Sequence, residues 1–280
     1  MKDIFLTAKE VYELKTTKQN IIIFDSSYFL PNTGINAIDE YKNEHIENAI
    51  FFDIDKISDP HDNLPHMFPS KDVFETHMQI LGLNNNDTVI IYDNSPLLSS
   101  ARCWFLLRYF GHKEIFILSG GIKSWKENGF KTTNNMSDIT HGDFKATEEN
   151  KNLLIKIEEM KNISDNKSFP ILDARSFERF SGSGKEPRPN LDSGHIPNSL
   201  NLPASKLLDN NGNLISKSNF KNLLHDLKLH ENERVITTCG SGVSACVLAL
   251  SYYRIGNHNI PIYDGSWSEW ASKNMKINKL

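Results

Sequence analysis

A cysteine, Cys239, stands between a run of β-branched residues and a segment with helical spacing, in the stretch TTCGSGVSAC (237–246). From Val243 onward apolar residues recur at helical intervals, so Cys-Gly-Ser-Gly is predicted to form a strand-to-helix turn. In open α/β sheets, ligands bind at this end of the strands. The thiol therefore lies where binding and chemistry are expected.

The glycines of this loop indicate a backbone that binds anions. Gly240 and Gly242 permit backbone angles and close approaches that other residues resist. The successive amide groups can then face inward, and the N-terminus of the following helix reinforces them. Both effects stabilise a thiolate, and a partly exposed thiolate is a nucleophile. We predict that Cys239 is the nucleophile and that Gly240, Gly242, Val243 and Ser244 contact an anionic substrate.

The other two cysteines are predicted to be packing residues. Cys103 precedes WFLL in a helical pattern, and Cys246 lies on the apolar face of the helix after the loop. Three cysteines without a CxxC pair fit neither a disulfide framework nor a zinc site. No phosphate-binding glycine motif is present either, so no cofactor or metal is predicted.

Composition excludes several classes of function. The chain has 280 residues and a net charge of −4, so it lacks the basic excess of a nucleic-acid-binding protein. No apolar run approaches the length of a membrane span. The N-terminal stretch MKDIFLTAKEVYELK lacks the apolar core of a secretory signal, which favours a cytoplasmic location.

The two halves of the chain repeat one another. The residues Asp25 and Asp173 are 148 positions apart, and His45 and His195 are 150 apart. The matching apolar runs are IIIFD, VIIYD and EIFIL in the first half and PILDA, VITTC and IPIYDG in the second. A long, nearly constant period with matched order indicates a duplicated domain. Because His45 and His195 recur in matching HI motifs, we expect them to have structural roles.

Each half alternates short apolar runs with amphipathic segments. This order predicts an α/β fold with two tandem domains, each built on a mostly parallel sheet flanked by helices. The polar stretch 131–143 lacks periodicity, so we predict domains at 1–140 and 150–280.

Helix starts carry recognisable signals. Thr7 and Glu10 form a predicted capping box, and Ser70 and Ser218 are predicted N-caps. The tryptophans Trp267 and Trp270, near the last predicted helix, are expected to pack in the core.

Several motifs together resemble the 3-mercaptopyruvate sulfurtransferases of the rhodanese family. They are HIENAIFFDIDKISDPHDNLPHMFPS in the first half, and LDARSFERF, EPRP, GHIPNSLNLP, CGSGVSA and YDGSWSEW in the second. The resemblance covers nearly the whole chain. It implies two domains of one α/β fold, with the catalytic cysteine only in the second. The first-half counterpart of the loop, DNSPLLSS (93–100), has neither cysteine nor glycine, so the first domain is expected to be catalytically silent.

The resemblance also implies a substrate and a set of site residues. The substrate would be 3-mercaptopyruvate, bound through its carboxylate and carbonyl by Arg179 and Arg188, because arginine can fork onto both groups. Cys239 would take the sulfur as a persulfide and release pyruvate. In the related enzymes, a serine of the loop is proposed to move the proton together with a histidine and an aspartate from the N-terminal domain. The matching residues here are Ser241, His66 and Asp55.

Alternatives remain open. A thiosulfate sulfurtransferase typically has basic side chains in the loop, where this chain has Gly240 and Ser241. A cysteine phosphatase would need an arginine at position 245, which is Ala245 here. A non-catalytic sulfur carrier would use Cys239 only to hold a persulfide. For an enzyme, the sulfur acceptor would be cyanide in vitro or a thiol, and thioredoxin is a plausible acceptor.

Overall fold

The computed structural model describes residues 3–280, which divide into two compact units. The first unit takes in the chain up to Pro60, then Pro69–Asn150 and Asn211–Asn213. The second takes in His61–Phe68, Lys151–Asn210 and Leu214–Leu280. The short segment His61–Phe68 therefore groups with the second unit, although its neighbours in sequence belong to the first.

The first unit is an α/β layer structure. Its strands are β1 Phe5–Leu6, β2 Ile21–Asp25, β3 His45–Ile46, β4 Ala49–Phe51, β5 Thr88–Tyr92, β6 Ile115–Leu118 and β7 Thr132–Thr133. Its helices are α1 Ala8–Thr17, α2 Ala37–Asn43, α3 Lys71–Ile80, α4 Ser100–Tyr109 and α5 Gly121–Glu127, with a 3-10 turn at Pro31–Thr33. The parallel sheet has the order β1-β6-β5-β2-β4, and β3 pairs with β7 in an antiparallel ribbon.

The second unit repeats this arrangement. Its strands are β8 Leu154–Ile155, β9 Ile171–Asp173, β10 Ser199–Asn201, β11 Ile236–Thr238 and β12 Ile262–Tyr263. Its helices are α6 Ile157–Asn166, α7 Phe177–Ser181, α8 Lys217–Asp226, α9 Ala245–Arg254 and α10 Ser266–Ser272, with 3-10 turns at Lys151–Leu153 and Ala204–Leu207. The sheet order β8-β12-β11-β9-β10 matches that of the first unit, strand for strand, and all pairs are parallel. The predicted α/β duplication is confirmed.

The register of the second sheet determines which residues meet at its carboxyl edge. Asp173, the last residue of β9, pairs with Thr238 of β11 on one side and with Asn201 of β10 on the other. Cys239 follows Thr238 directly. The Cys239 loop and the segment after β9 therefore leave the sheet side by side, as the parallel order requires.

Helix starts largely follow the predicted caps. Thr7 and Glu10 form the full capping box of α1, and the Ser70 hydroxyl accepts from the Val73 amide of α3. The prediction for Ser218 is wrong, because the cap of α8 is Ser216, whose hydroxyl accepts from the Asn219 amide. The extended backbone of Ser216 lets α8 begin one residue before Ser218.

The two repeated histidines have the expected structural roles. His45 is buried, stacks on Tyr41 at 4.1 Å between ring centroids, and hydrogen-bonds the Tyr41 carbonyl. His195 is buried in the same way against Phe180, with the rings 3.9 Å apart and a hydrogen bond to the Phe180 carbonyl. Each imidazole thus connects its own segment, through a hydrogen bond and ring stacking, to a residue earlier in the chain.

A single core of aromatic and aliphatic side chains supports the second sheet. Trp267 and Trp270 are both buried in it, as predicted, together with Ile171, Ile236 and Tyr263. Within residues 3–280, no helix is both long enough and apolar enough to cross a membrane.

Candidate active site

Cys239 begins the loop between β11 and α9. Its backbone N–H donates to the Ser266 hydroxyl at 3.3 Å, and its carbonyl accepts from the Trp267 amide at 2.9 Å. The residue is only 1% exposed. The expectation of a partly exposed thiol is therefore wrong, because the start of α10 holds the loop inside the protein.

The rest of the loop is fixed by backbone contacts. The Gly240 carbonyl accepts from both the amide and the hydroxyl of Ser268, at 3.0 and 2.7 Å. Gly242 has a φ of +78°, a left-handed conformation that favours glycine. The Cys246 thiol donates to the Gly242 carbonyl at 3.2 Å, so this hydrogen bond connects the first turn of α9 to the loop.

The loop amides are oriented away from protein acceptors. Within residues 3–280, the backbone N–H groups of Gly240, Ser241, Val243 and Ser244 donate to no protein atom. They immediately precede α9, whose N-terminus adds partial positive charge. This arrangement is able to cradle an anion, and the roles of these residues in substrate binding stay a prediction.

Two arginines lie against Gly240. A Cβ atom at this position would be 2.8 Å from Nη2 of Arg179 and 3.8 Å from Nη1 of Arg188. Any side chain here would therefore collide with Arg179. Arg179 lies on α7 and Arg188 in the loop that follows it, and both guanidinium groups lie close to Gly240, the residue after Cys239.

A charged network positions Arg179. Its Nε and Nη2 atoms fork onto the Glu186 carboxylate, with the shortest distance 2.6 Å. Glu186 also accepts from Arg175 at 2.8 Å, and Arg175 forks onto Asp173 at 2.6 to 3.1 Å. The sequence reasoning missed Arg175, Glu186 and Asp173. The available signal was the set of charged residues that begins at the end of the buried strand β9, in LDAR, and continues in KEPRP.

Arg175 is the buried centre of this network. It lies 4.2 Å above the Trp267 ring and donates to the Gly194 carbonyl at 2.7 Å. Burial alone would lower the pKa of the guanidinium, but Asp173 and Glu186 raise it overall. Arg175 therefore stays charged, and its two carboxylate contacts remain ion pairs.

Ser241 connects the loop to an imidazole. Its hydroxyl lies 2.8 Å from Nδ1 of His66 and accepts from Nη2 of Arg188 at 3.2 Å. His66 is 2% exposed and has a φ of +61°, which is uncommon for a residue with a side chain. The structure thus brings together His66 and Ser241, which are 175 positions apart in sequence.

The segment that carries His66 is anchored to the end of β12. The Phe68 amide donates to the Asp264 carboxylate at 3.0 Å, and Lys156 binds the other oxygen of that carboxylate at 2.5 Å. Asp55, the third predicted member of the relay, belongs to the first compact unit, where its carbonyl accepts from the Ser58 hydroxyl. Its catalytic role stays a prediction.

Cys103 and Cys246 are packing residues, as predicted. Both are fully buried in helices, and burial raises the pKa of the Cys103 thiol well above its ordinary value. An apolar surrounding disfavours the thiolate and leaves such a thiol unreactive.

The first unit has a carboxylate where the second has Cys239. Asp93 directly follows β5 as Cys239 follows β11, and it is buried. Its oxygens accept from the amides of Ser95 and Ser100, at 3.1 and 2.9 Å. The side chain thus satisfies the amides of its own loop, including one at the start of α4. This loop offers neither a thiol nor an available amide cradle at these positions.

Ser266 is a functional candidate that the sequence reasoning missed. It is fully buried with a φ of +51°, and its hydroxyl donates to the Tyr263 carbonyl while accepting from the Cys239 amide. The equivalent residue in the first half is Gly121, which has a φ of +56°. A serine in this conformation is strained by roughly 1 kcal/mol or more, and such strain is frequent at functional sites. Comparing GGIKSW with GSWSEW could have revealed it.

Across residues 3–280 there is no group of three or more histidine, cysteine, aspartate or glutamate side chains placed to hold a metal ion. The protein is a duplicated α/β enzyme fold. One of its two units holds a buried cysteine, Cys239, in a loop with available backbone amides, and two arginines lie beside that loop.

Comparison with known proteins gives the family. The rhodanese-like domain model matches residues 7–128 and 156–273, so the chain belongs to the rhodanese family. Human 3-mercaptopyruvate sulfurtransferase is 34% identical, over 90% of this chain and 85% of the human protein. Rat thiosulfate sulfurtransferase is 35% identical, over 89% of this chain and 84% of its own length. The crystal structure of SseA, a 3-mercaptopyruvate sulfotransferase from Escherichia coli, has a TM-score of 0.86 and 31% identity, covering 95% of this chain and 99% of SseA.

Proposed function

We propose that this protein transfers sulfur from 3-mercaptopyruvate to a thiol or cyanide acceptor through a persulfide on Cys239, and releases pyruvate. The observation that carries the proposal is the pair of guanidinium groups, Arg179 and Arg188, that lie against Gly240 beside the nucleophile. A 2-oxo acid presents carboxylate and carbonyl oxygens in the planar arrangement that arginine binds in bidentate fashion. The human relative and SseA carry names with the same donor.

The first half-reaction balances without a cofactor. The Cys239 thiolate attacks the sulfur of the donor, an S–S bond forms, and the C–S bond breaks with its electron pair moving to carbon. The resulting enolate of pyruvate takes the proton that the donor thiol loses. The products are pyruvate and an anionic persulfide on Cys239. The loop amides would stabilise this anion, as an oxyanion hole stabilises a developing negative charge.

Ser241 is the proposed route of the proton. Its hydroxyl contacts Nδ1 of His66 and Nη2 of Arg188, so it lies between a base and a substrate-binding group. A proton can pass from the donor thiol to the enolate carbon through this hydroxyl, with His66 holding it in transit. Asp55 is proposed to orient the imidazole, as the aspartate does in a serine–histidine–aspartate triad.

In the second half-reaction an acceptor removes the outer sulfur. A thiol or cyanide attacks it, the S–S bond breaks, and the electron pair returns to Cys239 as the thiolate. We propose thioredoxin as one such thiol, because a thiol sulfur is a nucleophile that can attack the outer sulfur of the persulfide. Residues 150–280 are proposed to supply the nucleophile and the substrate-binding groups, whereas residues 1–140 hold no nucleophile and lend His66 and Asp55. A cytoplasmic location stays a prediction.

Thiosulfate is the competing donor, and the rat relative is named for it. Thiosulfate carries two negative charges, and the loop positions after Cys239 are the uncharged Gly240 and Ser241. The loop therefore compensates the second negative charge of thiosulfate less well than a loop with basic side chains at these positions would. We expect mercaptopyruvate to be turned over faster than thiosulfate, with kcat/KM higher by roughly 100-fold.

The test is a comparison of the two donors with the purified protein and a thiol acceptor, in which pyruvate and sulfide are followed over time. Many turnovers with mercaptopyruvate, faster than with thiosulfate, support the proposal. Faster turnover of thiosulfate would reverse the donor preference and keep the persulfide chemistry. One equivalent of pyruvate followed by no further release, with every acceptor tried, would indicate a sulfur carrier.

Ser266 provides a further prediction about this reaction. Ser266→Gly relieves the strained φ but removes the hydroxyl that holds the Cys239 amide. We expect kcat to fall about tenfold while the free energy of unfolding changes by less than about 1 kcal/mol, because relief of strain offsets the lost hydrogen bonds. Pyruvate release and thermal unfolding measure the two effects.

Ser272→Gly is the matched control, because this serine is in the same helix and its hydroxyl bonds only the Glu269 carbonyl. It should lower stability slightly and leave kcat unchanged. An unchanged kcat in Ser266→Gly would show that the hydroxyl does not position the nucleophile.

A further inference from the structure

Glu186 connects the substrate arginine to the protein interior. The carboxylate is 2% exposed and binds Arg175 on one side and Arg179 on the other. Arg175 is already paired with Asp173 at 2.6 Å. The network therefore contains two guanidinium groups and two carboxylates, and its charges cancel. Arg179 lies at the exposed end of the network, with 15% of its side chain accessible.

This compensation determines what Arg179 offers a ligand. The Nε and Nη2 atoms donate to Glu186, while Nη1 donates to no atom within the part of the chain that the structure describes. The guanidinium thus keeps donors for a ligand, at Nη1 and at the second N–H of Nη2, the nitrogen that lies nearest to the Cβ position of Gly240. Its charge, however, is neutralised by a carboxylate in direct contact. Donors without net charge suit a ligand with one negative charge better than a ligand with two.

We infer that Glu186 is a specificity-determining residue that selects a singly charged sulfur donor over a doubly charged one by cancelling the charge of Arg179. The inference rests on the proposed function, because it concerns the choice between the carboxylate of 3-mercaptopyruvate and the dianion thiosulfate. Glu186 acts through Arg179 and need not touch the donor.

The test is Glu186→Gln, which keeps the shape of the side chain and removes one negative charge. The net charge of the site becomes more positive by one unit, whatever other groups surround it. The electrostatic attraction between the site and a dianion increases more than that between the site and a monoanion. The ratio of kcat/KM for thiosulfate to kcat/KM for mercaptopyruvate is expected to rise about tenfold. The absolute kcat/KM for mercaptopyruvate should fall, because a neutral amide holds Arg179 less firmly.

Two matched variants separate charge from structure. Glu178→Gln removes the same charge from an exposed position of α7, where solvent screens it, and should leave the donor ratio unchanged. Glu186→Asp keeps the charge with a shorter reach, so it should lose activity with both donors while keeping the wild-type ratio. A ratio in Glu186→Gln equal to that of wild type would overturn the inference and leave Glu186 a structural residue.

A binding measurement keeps this test independent of turnover. Calorimetry with sulfate, a dianion, and with pyruvate, a monoanion, gives the same comparison without catalysis. Glu186→Gln should strengthen sulfate binding relative to pyruvate binding by about tenfold, even if the wild-type protein were inactive with mercaptopyruvate. Equal changes for both anions would contradict the charge argument, whereas lack of turnover alone would contradict only the proposed function.

Discussion

Cys239→Ser is expected to reduce pyruvate release from 3-mercaptopyruvate by at least about 1,000-fold. A serine hydroxyl does not ionise near neutral pH and does not attack sulfur, so no persulfide forms. The hydrogen bonds that Cys239 makes with Ser266 and Trp267 use its backbone N–H and carbonyl, so the substitution keeps them. The fold and the positions of Arg179 and Arg188 should therefore be kept.

The measurement is the rate of pyruvate release, together with the mass of the intact protein after exposure to mercaptopyruvate without an acceptor. Wild type should gain the mass of one sulfur atom, and the variant should gain none. Cys103→Ala is the control, because this buried thiol lies in the first unit and should leave both readouts unchanged. Substantial pyruvate release by Cys239→Ser would refute the assignment of the nucleophile.

Arg175→Met is expected to destabilise the second unit by about 3–5 kcal/mol. The guanidinium is buried, contacts Asp173 and Glu186, and stacks on Trp267. Methionine fills much of the volume but leaves Asp173 with its charge buried and uncompensated. Glu186 keeps only Arg179. A buried carboxylate that loses its ion pair must either remain charged in a medium of low polarity or take up a proton, and both are unfavourable.

Thermal unfolding checks this prediction, with an expected fall of roughly 10 °C in the midpoint of the transition that reports the second unit. Arg234→Met is the matched control, since Arg234 is 44% exposed and its ion pair with Glu159 is long, at 3.9 Å. Its cost should be below about 1 kcal/mol. If both substitutions lowered the midpoint equally, the buried network would contribute no special stability.

Local patterns in the sequence were sufficient for much of the architecture. Runs such as VIIY and VITT are rich in β-branched residues, which predicts buried parallel strands, and the matched order in both halves predicted the duplication. Thr7 and Ser70 cap their helices through hydrogen bonds that span three residues, so their signals are contained in the sequence itself. Ser218 was assigned wrongly because Ser216, two residues earlier, carries the same signal.

The sequence also predicts Cys239 as the nucleophile, but it could not predict the surroundings of this residue. A cysteine between a strand and a helix, next to two glycines, is a local feature of the chain. The burial of Cys239 depends instead on the start of α10, which lies almost 30 residues further along. Ser266, which holds the Cys239 amide, owes its role to a strained backbone angle that a serine does not indicate by itself.

The sequence by itself determined the order of strands and helices, the repeat and the position of the Cys239 loop between a strand and a helix, because each depends on neighbours within a few residues. Only the tertiary structure decided that His66 reaches Ser241 and that Glu186 lies between Arg175 and Arg179. These contacts join separate loops at the carboxyl edge of the second sheet. Their charges and hydrogen bonds take effect only when folding removes the groups from water and brings them within about 3 Å of one another.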